Sequence, residues 1–375
     1  MDEFTLKKVK ESLKSELDWE YIIKNAGEHG LLPLLHHNLS KLDEGDVPEN
    51  VLDYLRKQYN VNVAKNLLYY EELGTVLRVF KEEVIEVIVL KGAALAEIVY
   101  KDIGLRPFSD VDLLIQKRNL PGAKKILSEL GYILDEEVSP EKYNEEFGCD
   151  LYFAGEKNII EIHWDIVRKL GSDRFMRIDI EKIWDRALPT LISGVDTYVM
   201  SAEDQLLHLC IHLPKHRYNR LIWLCDILEV VRHNEIDWEL MMSFSEEYRT
   251  KAHMYYGLKF SDELLGPEIP PEVLEKLKPN LLERMVVRPV LKDILSNDRN
   301  IMPIFNLMKI LLIDRYPDRL RYLWIYIFPP VESLKRKYSV SGSKVYLYYI
   351  IHPLYVLFET ARRLLAIVGF RTKKS

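Results

Sequence analysis

The chain has 375 residues, 48% of them hydrophobic and 29% charged, with a formal net charge of −6 at pH 7. That length buries a sizeable core and suggests two or three domain-sized units. The net charge excludes a wholly basic nucleic-acid coat, though not a local basic patch. Three cysteines (Cys149, Cys210 and Cys225) are too scattered for a disulfide framework or a zinc cluster.

Met1 to Lys10 is charged and lacks the apolar core of a signal peptide. Leu17 to Leu42 reads as two short helices, with apolar residues from Trp19 to Leu35 at helical spacing. Asp43 to Pro48 is a turn. A long helix is expected from Glu49 to about Lys81. Val84 to Leu90 is a β-branched run of strand length, closed by Lys91-Gly92. A short helix is expected from Ala93 to Tyr100, a strand over Val111 to Ile115 and a helix over Leu120 to Leu130 ended by Gly131.

Further strands are expected at Tyr132 to Leu134, Asp150 to Ala154 and Asn158 to Trp164, with Gly155-Glu156-Lys157 as a hairpin turn. Ser201-Ala202-Glu203-Asp204 opens a helix like a capping box, and helices continue to the end. The fold class is therefore α+β, a mixed sheet flanked by helices. Its expected parts are N-terminal helices (1–82), an α/β core (83–198), a helical substrate-binding region (199–300) and a basic aromatic tail (301–375).

Asp110 and Asp112 stand two apart at a strand start, so alternation puts both carboxylates on one face. Paired hard oxygens of this kind suit Mg²⁺ (or Mn²⁺), which is usually shared with substrate phosphates. Solvated carboxylates at a strand end are the plainer alternative. Lys91 and the amides after Gly92 and Ala93 would open a helix facing an anion such as a triphosphate; a simple strand-to-helix turn is the alternative. Arg106 and Ser109 precede the carboxylates. Arg106 is read as a partner of phosphate or Asp110, or as a structural ion pair. Glu161 and His163 share a face of their strand, which Asp165 would continue, and Glu161 would be the third carboxylate of a phosphoryl-transfer cluster. His163 is read as a general base or substrate contact, or as a core histidine bonded to backbone.

His208 and His212 are spaced i, i+4, but the glutamate of a zinc protease helix is absent, so a structural or substrate-lining role is expected. His212 and Lys215 are candidate substrate contacts, and Asp226 is set against Arg220 or a neighbour. From Ile301 onward 13 Lys or Arg face 4 Asp or Glu, among aromatic runs such as Tyr322 to Phe328. A packed subdomain with basic outer faces is the plain reading of this tail, and a peripheral membrane contact the functional one. Val345 to Phe358 is short for a bilayer span, so no transmembrane segment is expected and the cytoplasm is the expected location.

Val89-Leu90-Lys91-Gly92-Ala93-Ala94-Leu95 with Arg106-Pro107-Phe108-Ser109-Asp110-Val111-Asp112-Leu113-Leu114 resembles the DNA polymerase beta-type nucleotidyltransferase superfamily. It is most similar to an uncharacterised branch with a Leu-Lys-Gly start. Glu161-Ile162-His163-Trp164, the Leu206 to His212 stretch and Phe328-Pro329-Pro330 extend the likeness over most of the chain. The resemblance implies Asp110, Asp112 and Glu161 as catalytic metal ligands and Gly92 at the triphosphate-binding turn. The expected reaction moves a nucleoside monophosphate from a nucleoside triphosphate to a hydroxyl-type acceptor, which is a small molecule, glycan, protein or RNA. Two departures stand out. Ala93 replaces the usual Ser or Gly of the turn, and Glu161 replaces an Asp. A catalytically silent nucleotide-binding or scaffold protein of the same fold is the alternative they raise.

Overall fold

In the computed structural model residues 3–137, 148–266, 268–280 and 308–373 are described. The boundary expected at Ile301 lies outside them. The chain opens with α1 (Glu3–Leu13), α2 (Trp19–Glu28), α3 (Leu32–Leu39) and the 34-residue α4 (Glu49–Glu82). Asp18 caps α2 by accepting the Tyr21 amide at 2.9 Å. Along α4, Leu55, Asn62, Asn66, Tyr70, Leu73, Leu77 and Phe80 recur at helical spacing and are buried.

The strand expected over Val84 to Leu90 is shorter, β1 (Ile88–Leu90). Its first residues instead finish α4. Val84 adopts φ 59°, the Ile85 amide donates to the Phe80 carbonyl at 2.8 Å and the Val84 amide to Lys81 at 3.1 Å. This is a Schellman ending with valine in the place glycine favours. The β-branched run hid a helix stop because propensity alone does not register a left-handed residue.

A seven-stranded mixed sheet follows in the order β3-β4-β5-β2-β1-β7-β6. Its other strands are β2 (Asp110–Leu114), β3 (Ile133–Leu134), β4 (Asp150–Ala154), β5 (Ile159–His163), β6 (Leu188–Ile192) and β7 (Val195–Val199). The β2–β5 and β1–β7 pairs are parallel and the rest antiparallel. The β6–β7 hairpin was not expected. Helices α5 (Lys91–Ile98) and α6 (Leu120–Glu129) lie within the sheet sequence, and α7 (Ile180–Asp185) precedes β6. Lys91 and Gly92 belong to α5 itself, two residues before the expected start.

Alternation divides the central strands between two cores. Val89, Val111 and Leu113 pack with Leu73, Leu77 and Phe80 of α4, whereas Ile88, Leu90 and Leu114 pack toward the later helices. Burying one Leu or Ile side chain stabilises by about 1.5–3 kcal/mol, so both faces are held firmly. Those later helices are α8 (Ala202–Lys215), α9 (Leu221–His233), α10 (Trp238–Glu247), α11 (Lys251–Leu265) and α12 (Pro271–Leu277). Ser201 caps α8 as expected, its hydroxyl accepting the Asp204 amide at 3.2 Å.

The tail holds α13 (Tyr316–Ile327), α14 (Val331–Tyr338) and α15 (Tyr348–Lys373). Among the described residues no helix is long and apolar enough to cross a membrane.

Candidate active site

Three adjacent strands build the site. Parallel pairing sets Asp112 opposite Glu161, and antiparallel pairing sets Tyr152 opposite Glu161 and Asp150 opposite His163. Period-two alternation therefore gathers Asp110, Asp112, Glu161, His163, Asp150 and Tyr152 on one face. The next link is Lys91, at the β1–α5 junction with φ 46°. Its Nζ donates to Asp112 Oδ1 at 2.6 Å, and His163 Nε2 lies 2.9 Å from the same oxygen. A carboxylate only accepts, so this Nε2 carries the proton. His163 Nε2 is also 3.4 Å from Glu161 Oε1.

The carboxylates differ in character. Burial alone would raise Asp112, but the Lys91 and His163 charges hold it well below the usual range. Burial pushes Glu161 up to about 7, against the pull of His163 and Lys91. Asp110 is raised by burial and by the Asp112 charge. Asp150 is buried yet lowered, facing His163 and the Arg168 guanidinium, whose Nη2 donates at 3.0 and 3.1 Å. One ionised and one half-protonated carboxylate thus sit side by side around neutral pH, an arrangement suited to holding a cation and exchanging a proton.

This face floors a cleft of about 1120 Å³ lined by Lys91, Gly92, Arg106, Ser109, Asp110 and Asp112, by Glu161 and His163, and by His208, His212 and Lys215 of α8. Ala93 is not on that lining. It is buried beneath, and its carbonyl accepts the Tyr70 hydroxyl at 2.6 Å. Gly92 serves close packing: a Cβ there would stand 2.5 Å from Phe108 Cβ. Asp165 leaves the face, its carboxylate accepting the Ile166 amide at 2.7 Å. The rings of His212 on α8 and of His216 just past its end lie 4.4 Å apart and tilted, and His216 lies 4.8 Å from Trp223. Burial and the nearby lysines keep His208 and His212 well below the ordinary histidine range, so both are neutral.

Residues 15–266 match a family described as uncharacterised nucleotidyltransferase. The chain belongs to that family. No curated protein matches it. A solution structure of the antibiotic-resistance factor ANT(2'')-Ia is similar over 60% of this chain and 96% of its own. The identity is 12% and the TM-score 0.31, a likeness that carries no argument.

In this nucleotidyltransferase the donor set fits a hard divalent cation. Asp112, Glu161 and His163 bring ligand-type atoms within 4.8 Å of one another, with the two carboxylates ready to ligate while Nε2 of His163 keeps its proton. Asp112 Oδ1 is taken by Lys91 and His163, leaving Oδ2, and among the described residues the Asp110 carboxylate accepts a hydrogen bond from the Ser109 hydroxyl at 3.1 Å. Cys149, Asp150 and His163 also approach one another, but burial keeps the Cys149 thiol protonated, which disfavours it as a ligand. Neither close group among the described residues includes His208 or His212.

Arg106 borders the cleft but spends its guanidinium on a buried ion pair rather than on Asp110 or a phosphate. Its Nε and Nη2 grip Asp226 of α9 at 3.0 and 2.6 Å, and Asp226 pairs with it rather than with Arg220. Sequence reasoning missed the clamp on the loop before β2. From α4, Asn62 donates to the Gly104 carbonyl at 2.8 Å, Asn66 to the Arg106 carbonyl at 3.0 Å and Lys65 to the Phe108 carbonyl at 2.5 Å. The legible signal was two asparagines at i, i+4 on the apolar face of a long helix.

Proposed function

We propose that this chain moves a nucleoside monophosphate from a nucleoside triphosphate to a hydroxyl-type acceptor, releasing pyrophosphate. The observation that carries the reading is the meeting of Asp110, Asp112 and Glu161 with Lys91 and His163 on the floor of one cleft. The three carboxylates would hold Mg²⁺ or Mn²⁺, which when bound supplies positive charge to the triphosphate and the developing leaving group. Lys91, the Gly92 turn and Ser109 would lie against the triphosphate. Glu161, held near neutrality, is placed to take the acceptor proton. His163, His212 and Lys215 would line the acceptor. The tightly paired Lys91 and the hydroxyl-free Ala93 favour one second reading, a catalytically silent nucleotide binder.

Isothermal titration with non-hydrolysable ATP, GTP, CTP and UTP analogues, with and without Mg²⁺, tests this. Binding is expected to need the metal and to vanish in an Asp110→Ala, Asp112→Ala variant. Nucleotide that binds but yields no pyrophosphate with any acceptor favours the silent reading, and no binding at all sinks both. The same titration has a pH signature. A carboxylate raised to about 7 is protonated below that pH and must lose its proton to a metal, so affinity rises with pH. Mn²⁺ affinity should fall about tenfold from pH 8 to pH 6, and Glu161→Gln should flatten that dependence.

We also propose that the tail makes a peripheral membrane contact. Leu320 and Trp324 of α13 and Ile350, Leu354, Leu357 and Phe358 of α15 are exposed beside basic residues. Co-sedimentation with anionic vesicles, lost in Trp324→Ser, Phe358→Ser, checks it; sedimentation unchanged by that variant would remove it.

A further inference from the structure

Five arginines converge on a second cavity of about 310 Å³: Arg174 and Arg177 after β5, Arg249 before α11, and Arg315 and Arg321 at α13. One carboxylate lines it, Asp318, and it is engaged by Arg249 at 2.9 Å. Among the described residues the other four guanidiniums have no ion-pair partner. Arg249 is mostly buried and has φ 56°, a strained backbone for a non-glycine residue. Burial and the Arg177 and Arg315 charges push its guanidinium below its ordinary value, with Asp318 and Asp314 pulling the other way. Arg315 also occupies the N-cap position of α13 without a capping side-chain bond, so the positive end of a 12-residue helix lies at the same place.

Arg174, Arg177, Arg315 and Arg321 are exposed, so water screens much of their mutual repulsion, and what remains is a modest local cost. A local cost of this kind is expected where a ligand supplies the missing charge. Planar guanidiniums match the paired oxygens of a phosphate, and several together provide the bidentate contacts that such an anion accepts.

The cavity also has a position. Asp173 lines the catalytic cleft and Arg174 the arginine pocket; Tyr322 lines the cleft and Arg321 the pocket. Phe175 and Tyr322 stand edge to face at 6.3 Å in the wall between the two. We propose that the arginine pocket is a phosphate subsite, holding a phosphate group of the acceptor while the acceptor's hydroxyl reaches the cleft. This rests on the nucleotidyl-transfer reading for the word acceptor, but the anion site itself does not. The phosphate belongs either to a soluble phosphorylated molecule or to a lipid headgroup met by the exposed apolar residues of α13.

The test is isothermal titration of the full chain with inorganic phosphate in metal-free buffer of low ionic strength. The wild type, Arg315→Gln/Arg321→Gln and the carboxylate variant Asp110→Asn, which leaves the Lys91–Asp112 pair intact, are compared. Phosphate should bind the wild type and the carboxylate variant alike, and the arginine variant at least fivefold more weakly. Equal binding by all three overturns the proposal, as does absence of binding to the wild type. Loss of Mg²⁺-nucleotide binding in the carboxylate variant alone separates this result from the fate of the catalytic reading. Relief of repulsion should leave the arginine variant's melting temperature unchanged or raised; a fall of several degrees would make the cluster structural and overturn the subsite. With the site established, tighter binding of a hexose phosphate than of inorganic phosphate assigns the soluble source. Arginine-dependent sedimentation with phosphatidic acid vesicles assigns the lipid.

Discussion

Asp226→Ala is expected to destabilise the protein by about 3–5 kcal/mol, the cost of leaving one partner of a buried ion pair without its counter-charge. Arg106 and Asp226 side chains are 7% and 0% exposed, so water does not replace the lost carboxylate. The Tyr100 hydroxyl, which donates to the same carboxylate at 3.0 Å, is orphaned too. The urea unfolding midpoint measures the loss. A shift worth less than about 1 kcal/mol would mean that the pair is hydrated in solution and behaves as a surface bridge. An Arg106→Met/Asp226→Leu variant should recover most of the stability, because apolar groups of similar volume remove both charges together. Function should not return with it. The pair ties the loop before β2 to α9, and that loop aims Asp110; nucleotide affinity is expected to stay reduced in the restored variant.

The sequence made the site's local geometry legible. Asp110-Val111-Asp112 and Glu161-Ile162-His163 each advertised a shared face through period two, and the parallel register that sets Asp112 against Glu161 completes what those patterns implied. The Ser201 cap and the turn at Gly155, whose amide donates to the Asn158 carbonyl at 2.9 Å, are local and were readable for the same reason. What escaped was non-local or two-sided. Arg106 and Asp226 are 120 positions apart, and no spacing rule links them. The arginine pocket draws on segments near residues 175, 249 and 318, each unremarkable alone. β6 begins Leu188-Pro189 with its first residues exposed, a weak edge-strand pattern, and Val195 to Val199, although it alternates buried and outward residues, was missed with it. Val84 shows the opposite failure, a strand-like side chain spent on a helix stop.

The second large effect separates stability from chemistry at the heart of the site. Asp112→Asn removes the carboxylate that neutralises Lys91 and accepts the His163 hydrogen bond, with side-chain exposures of 4%, 14% and 6% for Asp112, Lys91 and His163. The lysine is then a buried cation without its main partner, and the expected loss is again about 3–5 kcal/mol. Pyrophosphate release should fall by about a thousandfold or more, since charge stabilisation at the transferring phosphate is usually the largest catalytic contribution. Each number alone is ambiguous, because a poorly folded enzyme is also an inactive one. Lys91→Met combined with Asp112→Asn resolves this. The double variant discards both charges, so it should regain most of the stability lost in Asp112→Asn, a coupling of 0.5–3 kcal/mol or more being ordinary for touching residues. Activity should stay at the floor, because no carboxylate has been restored. If the double variant recovers turnover along with its melting temperature, Asp112 is a structural partner of Lys91, and the metal must be held elsewhere. Stability regained without turnover makes Asp112 a residue whose charge the reaction needs, with Lys91 stabilising that charge until substrate arrives.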